Sequence, residues 1–338
     1  MRIGFYMKWP RGMFGNLSWN VIGDELFCES MIKGLKLEPG IDEVDLFAPN
    51  HLPDSKLDVM IYLNDTVPEP KFANKHIAYI QNVYNENINA ILNRFHSCGY
   101  DGYVFISRKM LEQHINAGFT GKYIPFGVDT SNFCPRPYCS KYAFDVAYVG
   151  NDIKGEERST KYILPAAEFN FGLYGKWDDI PLSPRFQLRF KLWKNLSAYF
   201  NYRRELHNVP TYKRVLNKVS RGRIPQEDIP MLYSNAKINI NCSIAACYEL
   251  DIITLRTYEV LACGGFLISD RIPLAEEELS DCIVFTDGGD DLKDKIKYYL
   301  KHEDERKFYA MKGLQYVRQH ATLKTRMNSL LQYIKELL

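Results

Sequence analysis

The chain has 338 residues, 46% of them hydrophobic, and its 43 basic and 41 acidic side chains leave a formal net charge of +2. A chain of this size can bury two cores of ordinary domain size. No run approaches the ~18 apolar residues of a membrane span. The eight cysteines include no CxxC pair and no closely spaced framework, which argues against a disulfide scaffold or a zinc module.

The N-terminus predicts a strand over residues 2–7, because its short apolar run is interrupted by Lys8 and Pro10. A secretory signal peptide carries a longer unbroken apolar core. We therefore expect a cytoplasmic protein with reduced thiols.

The loop after this strand carries Gly15 and Asn16 and leads into an amphipathic helix predicted to end near residue 35. A glycine-bearing loop between a first strand and a helix is a place where a ligand can approach the backbone. Asp24 and Glu25 open the helix and are candidates for the site. The alternative is that they only stabilise the first helical turn.

Turn-bounded apolar runs predict more strands in the first part of the chain. They lie at residues 43–49, 56–63, 76–82, 100–107 and 122–125. Helical patterns precede the last two strands, near residues 87–95 and 108–117. This alternation predicts successive strands of an α/β sheet.

Two prolines and several polar residues at 135–142 suit a linker, so the first domain is expected to end near residue 135. A second sheet then begins with the strand FDVAYVGND at 144–152. Lys154 and Arg158 follow this strand. They belong either to a phosphate-facing loop or to a solvated helix start.

The segment at 185–223 is strongly basic, because it holds 11 Lys or Arg residues and a single acidic residue, Glu205. Seven aromatic residues are interleaved with these cations, which is typical of an amphipathic element on an anionic lipid surface. The main alternative is a structural insertion whose aromatic side chains pack on the second domain. Basic and aromatic residues also suit single-stranded nucleic acid, but no recognised nucleic-acid module accompanies them, and no nucleic-acid partner is expected.

The stretch at 236–270 has the pattern strand, loop, helix, Gly-Gly turn, strand. In a parallel sheet, such a unit presents the helix N-terminus at the carboxyl edge, where free N–H groups and the helix dipole favour a phosphate. Arg256 and Glu259 lie three residues apart and share a helix face. A guanidinium there suits a diphosphate and a carboxylate suits ribose hydroxyls; the alternative is an ordinary ion pair on a solvated face.

The run RTYEVLACGGFLISD, from Arg256 to Asp270, resembles the nucleotide-sugar signature of group 1 GT-B glycosyltransferases, in particular the branch with the CgeB-like spore-maturation proteins. A second run, Pro125-Phe-Gly-Val-Asp129 with Phe133, is similar to the step at which many of these enzymes end their first domain. In this family the glutamate before LACG contacts the donor ribose. Relatives carry another glutamate eight residues earlier, where this chain has an aspartate.

The resemblance implies an α/β protein of two Rossmann-like domains that face each other across a cleft. Residues 1–135 would form the acceptor domain, and 144–322 the nucleotide-sugar domain with the basic insertion 185–223. The last segment, 323–338, carries an apolar stripe that must bury against another surface. It would form a helix that crosses back to the first domain.

The resemblance also implies a function: transfer of a sugar from a nucleotide-diphosphate donor to a hydroxyl of a glycan or lipid-linked acceptor. Such a hexosyltransferase would serve polysaccharide biosynthesis in the cytoplasm or on the inner face of the membrane. The donor-binding candidates are Gly15, Asn16, Lys154, Arg158, Thr254, Leu255, Arg256 and Glu259. No cofactor is expected, and cations with a helix N-terminus would neutralise the diphosphate without a metal.

Three carboxylates are the catalytic candidates. Retention of anomeric configuration is implied by the family, and Asp251 would then touch the transferred sugar. In an inverting enzyme, Asp24 or Glu25 would be the general base. Two alternatives remain on the same fold: a protein that binds a nucleotide sugar or glycan without turnover, and a phosphorylase or epimerase.

Overall fold

The computed structural model describes residues 1–12, 23–36, 38–81, 87–177 and 196–338, and its strands form two sheets. The strands of the first sheet are β1 (Arg2–Tyr6), β2 (Glu43–Phe47), β3 (Leu57–Tyr62), β4 (Ala73–Ile80), β5 (Gly102–Phe105) and β6 (Lys122–Tyr123). The strands of the second sheet are β7 (Val146–Val149), β8 (Phe171–Tyr174), β9 (Ile238–Asn241), β10 (Leu267–Asp270) and β11 (Val284–Thr286).

Helices connect the strands. Those before β9 are α1 (Gly23–Leu35), α2 (Ile88–Ser97), α3 (Arg108–Asn116), α4 (Glu156–Tyr162), α5 (Leu196–Asn208), α6 (Thr211–Val219) and α7 (Ile229–Asn235). Those after β9 are α8 (Ala245–Glu249), α9 (Leu255–Ala262), α10 (Pro273–Leu279), α11 (Gly289–Lys301), α12 (Glu303–His320) and α13 (Leu323–Leu337). Within the described ranges, no helix is both long and apolar enough to cross a membrane.

Every ladder between these strands is parallel. The strand orders are β2-β1-β3-β4-β5-β6 and β11-β10-β9-β7-β8. Five of the six β3 side chains are buried, as expected of a central strand covered on both faces. The predicted α/β class with two Rossmann-like sheets is confirmed.

Each sheet has one point where the chain reverses its direction of winding. In the first sheet this point lies between β1 and β3, and in the second between β7 and β9. The loops leaving the two strands diverge there and open a crevice at their carboxyl ends. Ligand sites in open parallel sheets occur at such points.

The C-terminal helix α13 crosses back to the first sheet, as predicted. Gly34 of α1 faces Met327, where a Cβ would lie 3.4 Å from Met327 Cγ. The Tyr333 hydroxyl accepts a hydrogen bond of 3.1 Å from the Tyr103 amide on β5. Burial of the apolar stripe, including Leu330, fixes the crossing.

A second contact joins the two halves of the molecule at the start of α3. The Ser107 hydroxyl donates to the Leu250 carbonyl at 2.6 Å. Arg108 donates to Glu278 of α10, also at 2.6 Å. The halves are therefore connected by these contacts as well as by α13.

One local prediction differs from the structure, and one alternative left open by the sequence gains support. The predicted loop between β9 and the next helix contains the short helix α8. The basic segment is described from residue 196 onward, and its α6 buries Tyr212 and Leu216 in the core of the second sheet.

Candidate functional site

A cleft of about 760 Å³ separates the two halves. Its first wall comes from α1, through Leu26, Phe27, Glu29, Ser30 and Lys33, and from the loop Gly127, Val128, Asp129, Ser131, Asn132 and Phe133. Its second wall comes from the carboxyl ends of β7 and β8 and from α9, with Arg223, Ile224, Gln226, Ile229 and Tyr233 beside them. This volume suits a nucleotide-sized ligand.

The loop after β6 is held against α1. Lys33 Nζ donates to the Ser131 hydroxyl at 2.7 Å and to Asp129 Oδ2 at 3.3 Å. Asp129 Oδ1 also accepts from the Ser131 amide at 2.9 Å, so the aspartate caps its own loop. These bonds fix the polar part of the first wall.

Two glycines shape the second wall. Gly175 has φ +137°, and a Cβ there would lie 2.1 Å from the Gly150 carbonyl oxygen. The Trp177 indole donates to that same oxygen at 2.9 Å. The loops after β7 and β8 thus touch through backbone, and a side chain at Gly175 would push them apart.

Helix α9 begins at the mouth of this wall. Thr254 precedes the helix with extended backbone, and its hydroxyl lies 3.3 Å from that of Thr257. The first N–H groups of a helix have no intrahelical acceptor, so they are available to an anion. Leu255, Arg256 and Glu259 line the cleft. The structure therefore brings together four predicted donor-site residues on one helix.

The Arg256 guanidinium is held in place by side chains of the second sheet. Its Nη1 donates to Asn241 Oδ1 at 3.0 Å, and its guanidinium carbon lies 5.1 Å from the centre of the Tyr148 ring. A Cβ on Gly150 would lie 3.0 Å from Nη2. The cation is fixed on several sides and still lines the cleft.

Glu259 lies one turn further along α9. Burial raises its pKa to about 7, although the Arg256 cation opposes the rise. A carboxylate with this pKa gains most from a ligand that donates hydrogen bonds to it, since such bonds favour the charged form. Ribose hydroxyls are donors of this kind.

Lys154 lies in the loop after β7, where it is half-buried and does not line the cleft. Burial and, to a smaller extent, the Arg256 cation lower its pKa to about 8. Two cations held close together lose part of their mutual repulsion when an anion binds between them. The pair therefore favours a ligand that carries several negative charges.

Arg158 is bonded to protein groups instead. Its Nη2 donates to the buried carboxylate of Asp270, and its Nε donates to the Ser243 carbonyl at 2.6 Å. It does not line the cleft. Spacing alone could not separate it from Lys154, because Asp270 lies 112 residues away in the chain.

Asp24 and Glu25 are buried at the start of α1. Asp24 accepts from the Asn64 and Gln81 side-chain amides, both at 3.2 Å. Glu25 Oε1 accepts from the Gly12 amide at 2.8 Å. The two carboxylates are thus hydrogen-bonded to residues that follow β1, β3 and β4. Neither of them lines the cleft.

Asp251 is placed away from the cleft as well. It has φ +59°, and its Oδ1 accepts from the Leu274 amide at 2.6 Å, which caps the start of α10. The structure therefore separates Asp251 from Arg256 and Glu259. Gly15 and Asn16 lie outside the described residues.

Sequence reasoning missed the residues that support this site. Asn241 and Asp270 end two buried strands, and Gly150 and Gly175 follow two others. Polar residues or glycines directly after buried parallel strands were the available signal. Among the described residues, no group of three or more His, Cys, Asp or Glu side chains is arranged to hold a metal ion.

Several solved structures have folds similar to that of this chain. A glycosyltransferase from Rickettsia africae is 14% identical with a TM-score of 0.62, and the match covers 99% of this chain and 98% of that one. Sucrose-phosphate synthase from Thermosynechococcus elongatus is 13% identical with a TM-score of 0.63, over 100% and 99% of the two chains. BGT of phage T4, in complex with its UDP-glucose substrate, is 13% identical with a TM-score of 0.62, over 99% of both.

The chain therefore has the GT-B fold, which is the class that these structures and the two facing sheets define. At the level of sequence, residues 165–332 match the model of the Glycosyl transferase-like family. That region contains α9 and the whole second wall of the cleft except the loop after β7. No curated protein matches the sequence.

Proposed function

We propose that this chain transfers a sugar from a nucleotide-diphosphate donor to a hydroxyl acceptor. The observation that carries the proposal is the placement of Arg256 and Glu259 on one face of α9, at the mouth of the cleft and at the reversal point of the second sheet. The family match over 165–332 supports it. So does the fold shared with BGT, whose structure contains UDP-glucose.

In the proposed complex the diphosphate lies over the start of α9. Arg256 and the free N–H groups of Leu255 and Arg256 receive the negative charge, and Lys154 adds a second cation behind them. Glu259 accepts hydrogen bonds from the ribose. Charge that develops on the leaving diphosphate is met by fixed donors, so the reaction is proposed to need no metal.

A donor panel tests this proposal. Purified protein is incubated with UDP-glucose, other UDP-sugars, GDP-sugars and CMP-sugars, and slow release of the free nucleotide is measured. We expect release from a diphosphate donor and none from CMP-sugars, which carry one phosphate. Glu259→Ala and Arg256→Ala should each abolish it.

Two results would contradict the proposal. Unchanged donor binding in both variants would place the donor elsewhere. Donor binding without release, with or without sugar acceptors, would instead identify a non-catalytic nucleotide-sugar binding protein of the same fold.

We also propose that transfer retains the anomeric configuration and that the acceptor is a glycan or a lipid-linked glycan. The anomeric proton coupling of the product, measured by NMR, reports the configuration directly. The Asp251 carboxylate is used to cap α10. We therefore propose that retention in this chain depends on the groups that contact the leaving diphosphate, on the same side of the sugar, and not on that carboxylate.

A peripheral membrane location is proposed for the face formed by α5. On this helix Phe200 is 65% exposed, and Arg203 and Arg204 are exposed one turn further. Aromatic and basic side chains on one helix face favour an anionic lipid surface. By contrast, Lys213 of α6 is paired with Asp152 at 3.2 Å, so α6 contributes less charge to such a surface.

Co-sedimentation with vesicles containing anionic lipid tests the membrane proposal. Arg203→Glu with Arg204→Glu should reduce binding several-fold and lower its dependence on salt. Lys213→Glu is not a suitable control, because it breaks a buried pair. Neutral vesicles serve as the control, and equal binding to both vesicle types would refute the proposal.

A further inference from the structure

A chain of buried hydrogen bonds leads from Arg256 into the second sheet. Asn241, the last residue of β9, accepts from Arg256 Nη1 at 3.0 Å. Its Nδ2 donates to the hydroxyls of Ser269 at 3.1 Å and Ser243 at 3.3 Å. Both hydroxyls donate to Asp270 Oδ1 at 3.2 Å. Asn241 is 3% exposed and Asp270 is 1% exposed, so water does not compete for these bonds.

This chain of bonds has one direction. Each serine hydroxyl has a single proton, which goes to Asp270, so its oxygen is left to accept from Asn241. Both Nδ2 hydrogens of Asn241 are then used, and the amide cannot rotate without losing two buried bonds. Its Oδ1 must face Arg256.

The far end of the chain is fixed by charge. Arg158 donates to Asp270 Oδ2, and the Ser243 amide donates to the same oxygen at 3.0 Å. Burial raises the pKa of Asp270, and the Arg158 cation lowers it by favouring the carboxylate. Arg158 is therefore four hydrogen bonds away from Arg256, and it acts by holding the Asp270 carboxylate on which the whole chain depends.

A second buried asparagine on the same strand provides the comparison. Asn239 lies two residues earlier on β9 and is equally buried, at 1% exposed. Its Nδ2 donates to the Tyr233 carbonyl at 3.0 Å and to the Phe266 carbonyl at 3.4 Å. Asn239 makes no hydrogen bond to Arg256, so the two asparagines differ in whether they contact the guanidinium that lines the cleft.

We propose that Asn241 is a positioning residue: it fixes the Arg256 guanidinium in the orientation that binds the diphosphate of the donor. The inference rests on the proposed function and extends it to a residue outside the cleft lining. A guanidinium that is already oriented loses less side-chain entropy when the diphosphate binds. The remaining N–H groups of Arg256 are left for the ligand, because Nη1 is directed at Asn241 and the ring of Tyr148 covers one face.

The test is the affinity of the protein for UDP and GDP, with UMP and GMP titrated in parallel by calorimetry. Asn241→Ala should weaken binding of the preferred diphosphate at least tenfold and binding of its monophosphate less than threefold. Asn241→Asp keeps the shape and also places a carboxylate against Arg256, so it should weaken the diphosphate at least as much. Asn239→Ala, the matched control, should leave the ratio of diphosphate to monophosphate affinity unchanged.

A loss of fold stability alone would lower both affinities together, so the ratio separates positioning from structure. If either folded Asn241 variant keeps the wild-type ratio within twofold, the inference is wrong while the proposed donor site stands. If the wild type binds neither UDP nor GDP, or if Arg256→Ala leaves the affinity for the bound diphosphate unchanged, the proposed donor site is wrong. The inference then fails with it.

Discussion

Glu259→Gln is the sharpest test of the electrostatics of the cleft. The folded chain raises the pKa of Glu259 from an ordinary 4.5 to about 7 through burial. At about 1.4 kcal/mol per pKa unit, keeping this carboxylate ionised in the folded chain costs roughly 3 kcal/mol. Glutamine has the same shape and no charge, so the variant avoids this cost.

The sign of the pH dependence follows from the raised pKa. Below pH 4.5 the side chain is protonated in both the folded and unfolded chain, and the wild type carries no penalty. As pH rises from 4.5 through about 7, the unfolded chain releases this proton before the folded chain does, so the wild type loses stability, and the loss is complete once the folded group has also ionised. Glu259→Gln should therefore be close to wild type near pH 4.5 and more stable by up to about 3 kcal/mol at pH 8.

Urea denaturation of both proteins at several pH values measures this difference directly. Glu276→Gln, a half-exposed glutamate on α10, controls for general effects of removing a carboxylate. A difference between wild type and Glu259→Gln that stays constant from pH 5 to pH 8 would refute the assigned environment. The same variant should lose binding of the nucleoside diphosphate, so stability and binding change in opposite directions.

Two further substitutions test the architecture and the separate roles of the two arginines. Gly102→Ala should destabilise the fold by about 1–3 kcal/mol, because its Cβ would lie 2.5 Å from Leu337 Cδ1 and displace α13. Thermal unfolding measures this loss, and an unchanged Tm would contradict the packing of α13 on β5. Arg158→Met should lower the free energy of unfolding, measured in urea, by about 3–5 kcal/mol, because it leaves Asp270 buried without its cation. Arg256→Met should keep the free energy of unfolding within ~1 kcal/mol of wild type and lose affinity for the diphosphate. Equal stability losses in the two arginine variants would show that the roles are not separate.

The fold could be predicted because its signals are local. The strands of the two sheets are short apolar runs bounded by turns, and the longer helices that cover them have the 3.6-residue period. The amphipathic stripe that ends the chain predicted α13, since Leu330 and Ile334 have to be buried somewhere. The helix α8 was missed because five residues give too little periodicity to distinguish a short helix from a loop.

The candidate site could be predicted from the sequence only for those residues that lie together on one helix. Thr254, Leu255, Arg256 and Glu259 belong to α9 and its first turn, so the spacing of residues on one helix was enough to place them together. Lys154 and Arg158 could not be distinguished in this way. Their roles depend on partners from β9 and β10, which tertiary packing brings to the same edge of the sheet.

The aspartate at 251, where the resembling family carries a glutamate, has a local physical reason. Its backbone is in the left-handed region at φ +59°, which aspartate tolerates better than longer side chains do. Its short carboxylate reaches the Leu274 amide at 2.6 Å and so stabilises the start of α10. A glutamate would extend one methylene further and lose this geometry, so the substitution and the cap belong together. In the proposed reaction, chemistry at the transferred sugar then has to come from the groups that line the cleft, and Arg256 and Glu259 are the ionisable residues that α9 presents there.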